Sequence, residues 1–233
     1  MGDLSTPARG TLRRVDWEGH AEREEARYAD GLGRLPDDPD ARQKQLVRVA
    51  MAATGAALAR LMQGRRAEAS GWFARSAERF RESAEHAPAE SWGRPIGAVK
   101  ARLLAGDREG AKADARWALE LGSGRTVSPI GRYAAALSHL VLRQDEEASR
   151  LAAGLKEEAP ESFPRAVADA LAALAAADGR AYADAAGRVL HSFEGRDAYL
   201  EDIPVADTVI VLEDLADARG IAARFSSRLL PGG

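Results

Sequence analysis

Cysteine is missing from the sequence altogether, which removes disulfides, thiolate nucleophiles and Cys-ligated zinc or iron–sulfur centres. Histidine is scarce as well. His20, His86, His139 and His191 are scattered, with no H-E-x-x-H and no two on adjacent helical turns, so the metal-ligand spacing of a histidine site is absent. No sign of charge dominates: 33 basic residues stand against 36 acidic ones, for a formal net charge of −3. That balance argues against a broadly basic nucleic-acid surface, and clusters such as RRVDWEGHAER and QGRRAEA are broken by acids, as solvated helix faces are. No apolar run approaches the roughly 20 residues that span a bilayer. The opening MGDLSTPARG lacks the apolar centre of a signal peptide, so the expectation is a cytoplasmic protein without membrane attachment. Met1-Gly2 with Thr6 fits a myristoylation pattern only superficially, because an early Met-Gly is common by chance. Phosphate-binding P-loop, dinucleotide-fingerprint and nucleophile-elbow motifs are all missing, and no cofactor is expected.

What the 233 residues do contain is helix-forming material. Alanine, leucine, arginine and glutamate dominate long segments, 45% of the chain is hydrophobic, and the length suits one domain. Within 12–32, Trp17, Ala21, Glu24, Tyr28 and Leu32 recur at helical spacing and predict a surface helix. Asp38-Pro39 then reads as a cap followed by a first helical residue. A pattern repeats: LMQGRRAEASGWF and LLAGDREGAKADA each place a turn glycine (Gly64, Gly106) five residues before an alanine (Ala69, Ala111). Weaker copies follow at Gln144-Asp145 with Ala148, and at Asp178-Gly179 with Ala183. The anchors recur at 42 (69 to 111), 37 (111 to 148) and 35 (148 to 183) residues, the range of two-helix repeats. Both Gly–Ala pairs are expected at close helix approaches, and the histidine in AAALSHLVL (His139) in a packed or hydrogen-bonded core position. His191, just before the acidic joint, is a candidate to pair there.

On these residues the chain resembles the tetratricopeptide-like repeats: Gly64, Ala69 and Phe73 match one part of that pattern, and Ala148, Ala152, Leu155 and Pro160 another. The resemblance spans 40–195 and implies an all-α superhelix of stacked antiparallel hairpins. Two connections interrupt the rhythm and echo each other, RPIGAVKA (94–101) and SPIGRYAA (128–135), each glycine positioned for close backbone approach. Trp92, Arg94, Arg132 and Tyr133 beside them are candidates for a partner-binding edge or concave face, with help from Glu201 and Asp202.

Those two acids belong to an acidic joint, SFEGRDAYLED, holding Glu194, Asp197, Glu201 and Asp202 around Tyr199. The spacing matches no cation loop or acid–base pair, so capping and salt bridges are expected first, partner contacts second. Tyr199 is expected to pack its ring on the terminal hairpin. The following TVIVL admits a short strand, but its longer period favours a closing helical segment, 205–228, stopped at Arg219-Gly220, with Asp202 or Asp207 as its cap. Over residues 160–231 the chain is similar to the immunity protein 49 family of polymorphic toxin systems, through Ser192-Phe193-Glu194, Glu201-Asp202, Val205–Leu212 and Leu229-Leu230-Pro231. That likeness implies stoichiometric binding of a toxin without catalysis. The expectation is one helical domain over 1–233 with a flexible 1–11, a monomer or weak homo-oligomer, not an enzyme, binding a protein or peptide. A helical adaptor, or an enzyme with a site hidden between helices, are the alternatives.

Overall fold

The computed structural model describes residues 15–158 and 161–232. Over the described residues the fold is all-α: ten α-helices and no strand. They are α1 (Trp17–Gly33), α2 (Pro39–Met62), α3 (Arg66–Ala84), α4 (Gly93–Leu104), α5 (Arg108–Glu120), α6 (Pro129–Val141), α7 (Asp145–Lys156), α8 (Arg165–Ala175), α9 (Gly179–Glu194) and α10 (Asp207–Asp217). Through α9 each helix packs mainly on its chain neighbours, so α2/α3, α4/α5, α6/α7 and α8/α9 stack as the hairpins of a tetratricopeptide-like superhelix. The predicted seam of α1 buries Ala21 and Glu24, with Asp16 capping Gly19 N–H at 3.0 Å. Asp38 caps Ala41 N–H at 2.8 Å ahead of Pro39, as its sequence position predicts.

One local device makes the four hairpin turns and recurs after α10. Gly64, Gly106, Arg143 and Ala177 in the turns, and Gly220 after α10, all have positive φ (77°, 76°, 60°, 50° and 74°). After each, the next N–H reaches back to a carbonyl five residues earlier, as in Arg65 N to Arg60 O (3.0 Å) and Asp178 N to Ala173 O (3.0 Å). Orphan carbonyls at the helix end are satisfied by a left-handed residue and the reversal that it permits. This corrects two expectations. Gly64 and Gly106 occupy no close helix approach, since a Cβ on either would meet nothing within 4 Å; only their partners Ala69 and Ala111 are buried, at 1% and 0%. Secondly, five residues beyond Ala177 stands Tyr182, fully buried, so Tyr182 and not Ala183 anchors the fourth unit. Pro160 and the segment 1–11 lie outside the described residues.

After α9 the chain does not continue the stack; it turns back across the repeats. Ile203 and Val205 pack with α2 and α3, α10 packs on α4, α8 and α9, and Leu229 and Leu230 join the core formed by α4 to α9. Ionic contacts follow the same path: Glu201 to Arg27 of α1, Asp207 to Lys100 of α4 (2.5 Å), Asp214 to Arg108 of α5 (2.9 Å), and Arg219 to Asp145 of α7. TVIVL is helical, as its longer period indicates, and Gly220 ends that helix. The helix is shorter than the expected 205–228, because residues 221–227 run without regular structure. Neither candidate acid caps it by hydrogen bonding: Asp202 ends the short 3-10 turn Leu200–Asp202, Ala206 holds the cap position, and Asp207 is already the first helical residue. Ile203, Val205, Val209, Val211, Leu212, Leu215, Leu229 and Leu230 are each 7% exposed or less. At about 1.5–3 kcal/mol per buried aliphatic side chain, this packing far outweighs the four ion pairs around it, each of which has one partner at least a quarter exposed. The closing segment is therefore part of the core, not a detachable strap.

Candidate functional site

The two echoing connections were built for close approach. A Cβ at Gly97 would lie 2.5 Å from the Phe80 ring, and one at Gly131 would lie 2.1 Å from Thr126 Cγ2 and 2.7 Å from Trp92 Nε1. Each glycine thus seats a ring from the preceding segment, and the isoleucine beside it is left on the surface of a hollow: Ile96 in one, Ile130 in the other. Ser128 stands at the start of α6 and Pro129 is its first residue, although the serine side chain makes no capping bond.

The six candidate residues divide between two places. Trp92 and Arg94 line a groove of about 380 Å³ between the α3–α4 connection and the α5–α6 connection. Trp92 is 7% exposed, so its ring is chiefly a packing surface for Gly131. Arg94 donates to the Ser83 carbonyl (3.2 Å) and to Gln43 Oε1, with burial lowering its pKa. Tyr133 and Glu201 instead line a cleft of about 490 Å³ between α2, α4, α6, α8, α9 and the closing segment. Glu201 is held by Arg27, which also binds Glu24 at 2.8 Å. Arg132 and Asp202 line neither hollow: Arg132 pairs with Glu158 at 2.7 Å, tying α6 to the end of α7, and Asp202 is exposed. The connections and the acidic joint therefore converge only in part, through Tyr133, Glu201 and, in a smaller adjoining lobe of about 310 Å³, Arg94.

At the junction of these lobes lies a pair that sequence reasoning missed. Lys100 donates to Asp207 Oδ2 at 2.5 Å and to Thr208 Oγ1 at 3.2 Å, and both Lys100 and Asp207 border both lobes. Burial alone would draw the lysine pKa down, but the Asp207 charge and hydrogen bond overcome it and hold Lys100 above its ordinary value. A lysine kept protonated in this way is a poor nucleophile. Tyr133 nearby is pushed up, first by burial, so its hydroxyl also stays protonated at neutral pH. The signal for Lys100 was present in the echo: it stands three residues after Gly97, where the second copy has the buried Ala134.

The edge groove carries a second missed feature. Among the described residues the exposed large hydrophobic side chains are Leu121 (48%), Val127 (80%) and Ile130 (45%), all in or beside the α5–α6 connection. The acidic joint is otherwise structural: Glu194 accepts from Ser227 Oγ (2.8 Å), and Tyr199 docks its hydroxyl on the Phe193 carbonyl (2.8 Å). His139 is not a core residue; it is half-buried, and its Nδ1 meets Gln144 Oε1 at 2.6 Å. His191 is exposed. Among the described residues no group of three or more His, Asp or Glu is placed to hold a metal ion, and no helix is long and apolar enough to cross a membrane.

No family model, curated protein or solved structure matches the chain. The likeness of the tail to an immunity family thus has no support from relatives; of the residues that carry it, Phe193, Val205, Leu212, Leu229 and Leu230 are buried core, while Ser192, Glu194 and Asp202 are exposed. On its geometry, the chain is an all-α, tetratricopeptide-like helical-repeat module, a fold type generally used for protein–protein interaction.

Proposed function

We propose that the chain is a non-enzymatic protein-binding module that takes its partner across the edge formed by residues 85–95 and 121–130. The observation that carries this reading is the exposure of Leu121 and Val127 in the α5–α6 connection, with Ile130 just inside α6, beside the groove lined by Trp92, Arg94 and Leu121. Aliphatic side chains left in water together, next to a rigid concavity and an exposed arginine (Arg125), are the usual material of an interface centre. The face crossed by the closing segment is a poorer candidate, because Ile203, Val205 and α10 already pack against the repeats there. A toxin is the partner that the tail resemblance favours; an adaptor would use the same edge.

The test is affinity capture from the native organism, followed by titration of the recovered protein against wild type and a Leu121→Ser/Val127→Ser variant. A loss of about tenfold or more is expected, the scale of one or two interface anchors. Unchanged affinity in a variant with wild-type helicity would reject the edge. Inhibition of a captured toxin at one-to-one stoichiometry would support the immunity reading, and reproducible turnover of a small molecule would overturn the functional class.

A further inference from the structure

The larger cleft has features that a protein-binding edge does not require. Its wall is apolar and rich in rings, supplied by Leu58, Phe163, Val189, Phe193, Tyr199 and Val205. About 490 Å³, with an adjoining lobe of about 310 Å³, lies within the range of small-molecule sites, roughly 300–1,000 Å³. Charge inside it is unevenly committed. Asp207 is neutralised by Lys100, and Glu201 is taken by Arg27. Arg165 donates to the Lys156 carbonyl (2.9 Å) and faces Asp169 (3.8 Å). Arg196 lies with its guanidinium 3.7 Å from the centre of the Phe193 ring and makes no ion pair among the described residues. A cation stacked on the aromatic wall of an apolar cavity, with the carboxylates in that cavity already paired, presents its free donors to an anion.

We propose that this cleft binds a small amphipathic carboxylate, its acyl or aryl body in the apolar lobe and its carboxylate on Arg196. A cationic ligand would meet three cations against two neutralised acids, and a neutral one would leave the guanidinium unused. The Lys100–Asp207–Thr208 cluster forms the polar boundary between the lobes and fixes how far the apolar body penetrates.

Isothermal titration of the full chain with decanoate, decanol and decyltrimethylammonium tests this directly. Decanoate binds one to one and more tightly than decanol, and the ammonium compound binds weakest. Arg196→Gln weakens decanoate by roughly 3- to 10-fold, the scale of one partly exposed charge-assisted contact, and leaves decanol unchanged. Arg165→Gln, whose side chain is already committed, leaves decanoate within about twofold on the same reasoning. Ala166→Trp, which fills the cleft from α8, abolishes binding of both while the thermal midpoint reports folding; Val167→Trp replaces it if that variant unfolds. Failure of decanoate to bind overturns the proposal, as does equal affinity for all three probes or undiminished binding to a folded cleft-filled variant. Ile130 borders the cleft as well as the edge, so the edge is tested at Leu121 and Val127 alone, and none of these outcomes bears on those two residues.

Discussion

Replacing Gly97 and Gly71 by alanine, one at a time, separates packing from helix propensity in the same repeat array. Both are helical glycines, in α4 and α3, and either change should gain up to about 1 kcal/mol from the lower backbone entropy of alanine. Gly71 is exposed and a Cβ there meets nothing within 4 Å, so the gain is kept and Gly71→Ala is expected to stabilise by about 0.5–1 kcal/mol. At Gly97 the new methyl carbon would stand 2.5, 2.7 and 2.8 Å from three atoms of the Phe80 ring. Ordinary contact begins near 3.5 Å, so the ring or the helix must move by about 1 Å. Phe80 is 8% exposed, so little room exists for it to swing away, and overpacking of this kind costs about 1–3 kcal/mol. The net expectation is destabilisation by about 0–2 kcal/mol, opposite in sign to Gly71→Ala. Urea denaturation followed by helicity reads both, with slopes compared to confirm an unchanged transition. If Gly97→Ala proves as stabilising as Gly71→Ala, the close seating of Phe80 on α4, and with it the placement of the α3–α4 connection beside the groove, is wrong.

Ala177→Gly should stabilise by up to about 1 kcal/mol, because it relieves a non-glycine residue at φ 50° while adding some unfolded-state entropy; a lowered denaturation midpoint would contradict this. Arg219, 1% exposed and donating to the Leu140 (2.9 Å) and Leu215 (3.2 Å) carbonyls, pins the closing helix to the α6–α7 turn, so Arg219→Met should cost about 2–3 kcal/mol in the same assay, and a neutral result would sink that role. Stability should also fall in alkali. Tyr133 and Tyr182 are raised chiefly by burial, Tyr182 also by its hydrogen bond to Glu213, and Lys100 is raised by Asp207 against the effect of burial. The folded state then keeps protons that the unfolded chain releases above about pH 10; the stability is present below that pH and declines as pH rises beyond it. Tyr182→Phe should be less stable than wild type at pH 7, having lost a 2.6 Å bond to a carboxylate, yet decline less steeply between pH 9 and 11; parallel declines would refute the assignment.

Much of the architecture was legible because local chemistry and the global fold agree. Asp38-Pro39, the turn glycines at 64 and 106 and the small residues at 69, 111 and 148 each mark a boundary or a buried seam. The misplacement of the fourth anchor has a physical cause. Ala177 carries the left-handed turn without glycine, so its punctuation is invisible, and a buried tyrosine replaces the small residue. The course of the closing segment was illegible for a different reason: its partners, Arg27 with Glu201 and Lys100 with Asp207, lie more than a hundred positions apart, and no periodic pattern encodes such pairings. The candidate residues show the same divide. Aromatic and arginine side chains near the connections were visible, but not that Trp92 would serve Gly131 as a packing surface or that aliphatic Val127 would remain 80% exposed.

Hydrogen–deuterium exchange on the chain, free and bound to its captured partner, tests most directly whether the superhelix is closed from within and engaged at its edge. In the free chain the amides of Val209–Ala216 should exchange as slowly as those of α8, through global unfolding alone. On binding, new protection should fall in 121–130 and 85–95, with Val209–Ala216 unchanged. Rapid exchange of α10 in the free chain, or its exposure when the partner binds, would contradict a permanent closing segment and return the face it crosses to the partner.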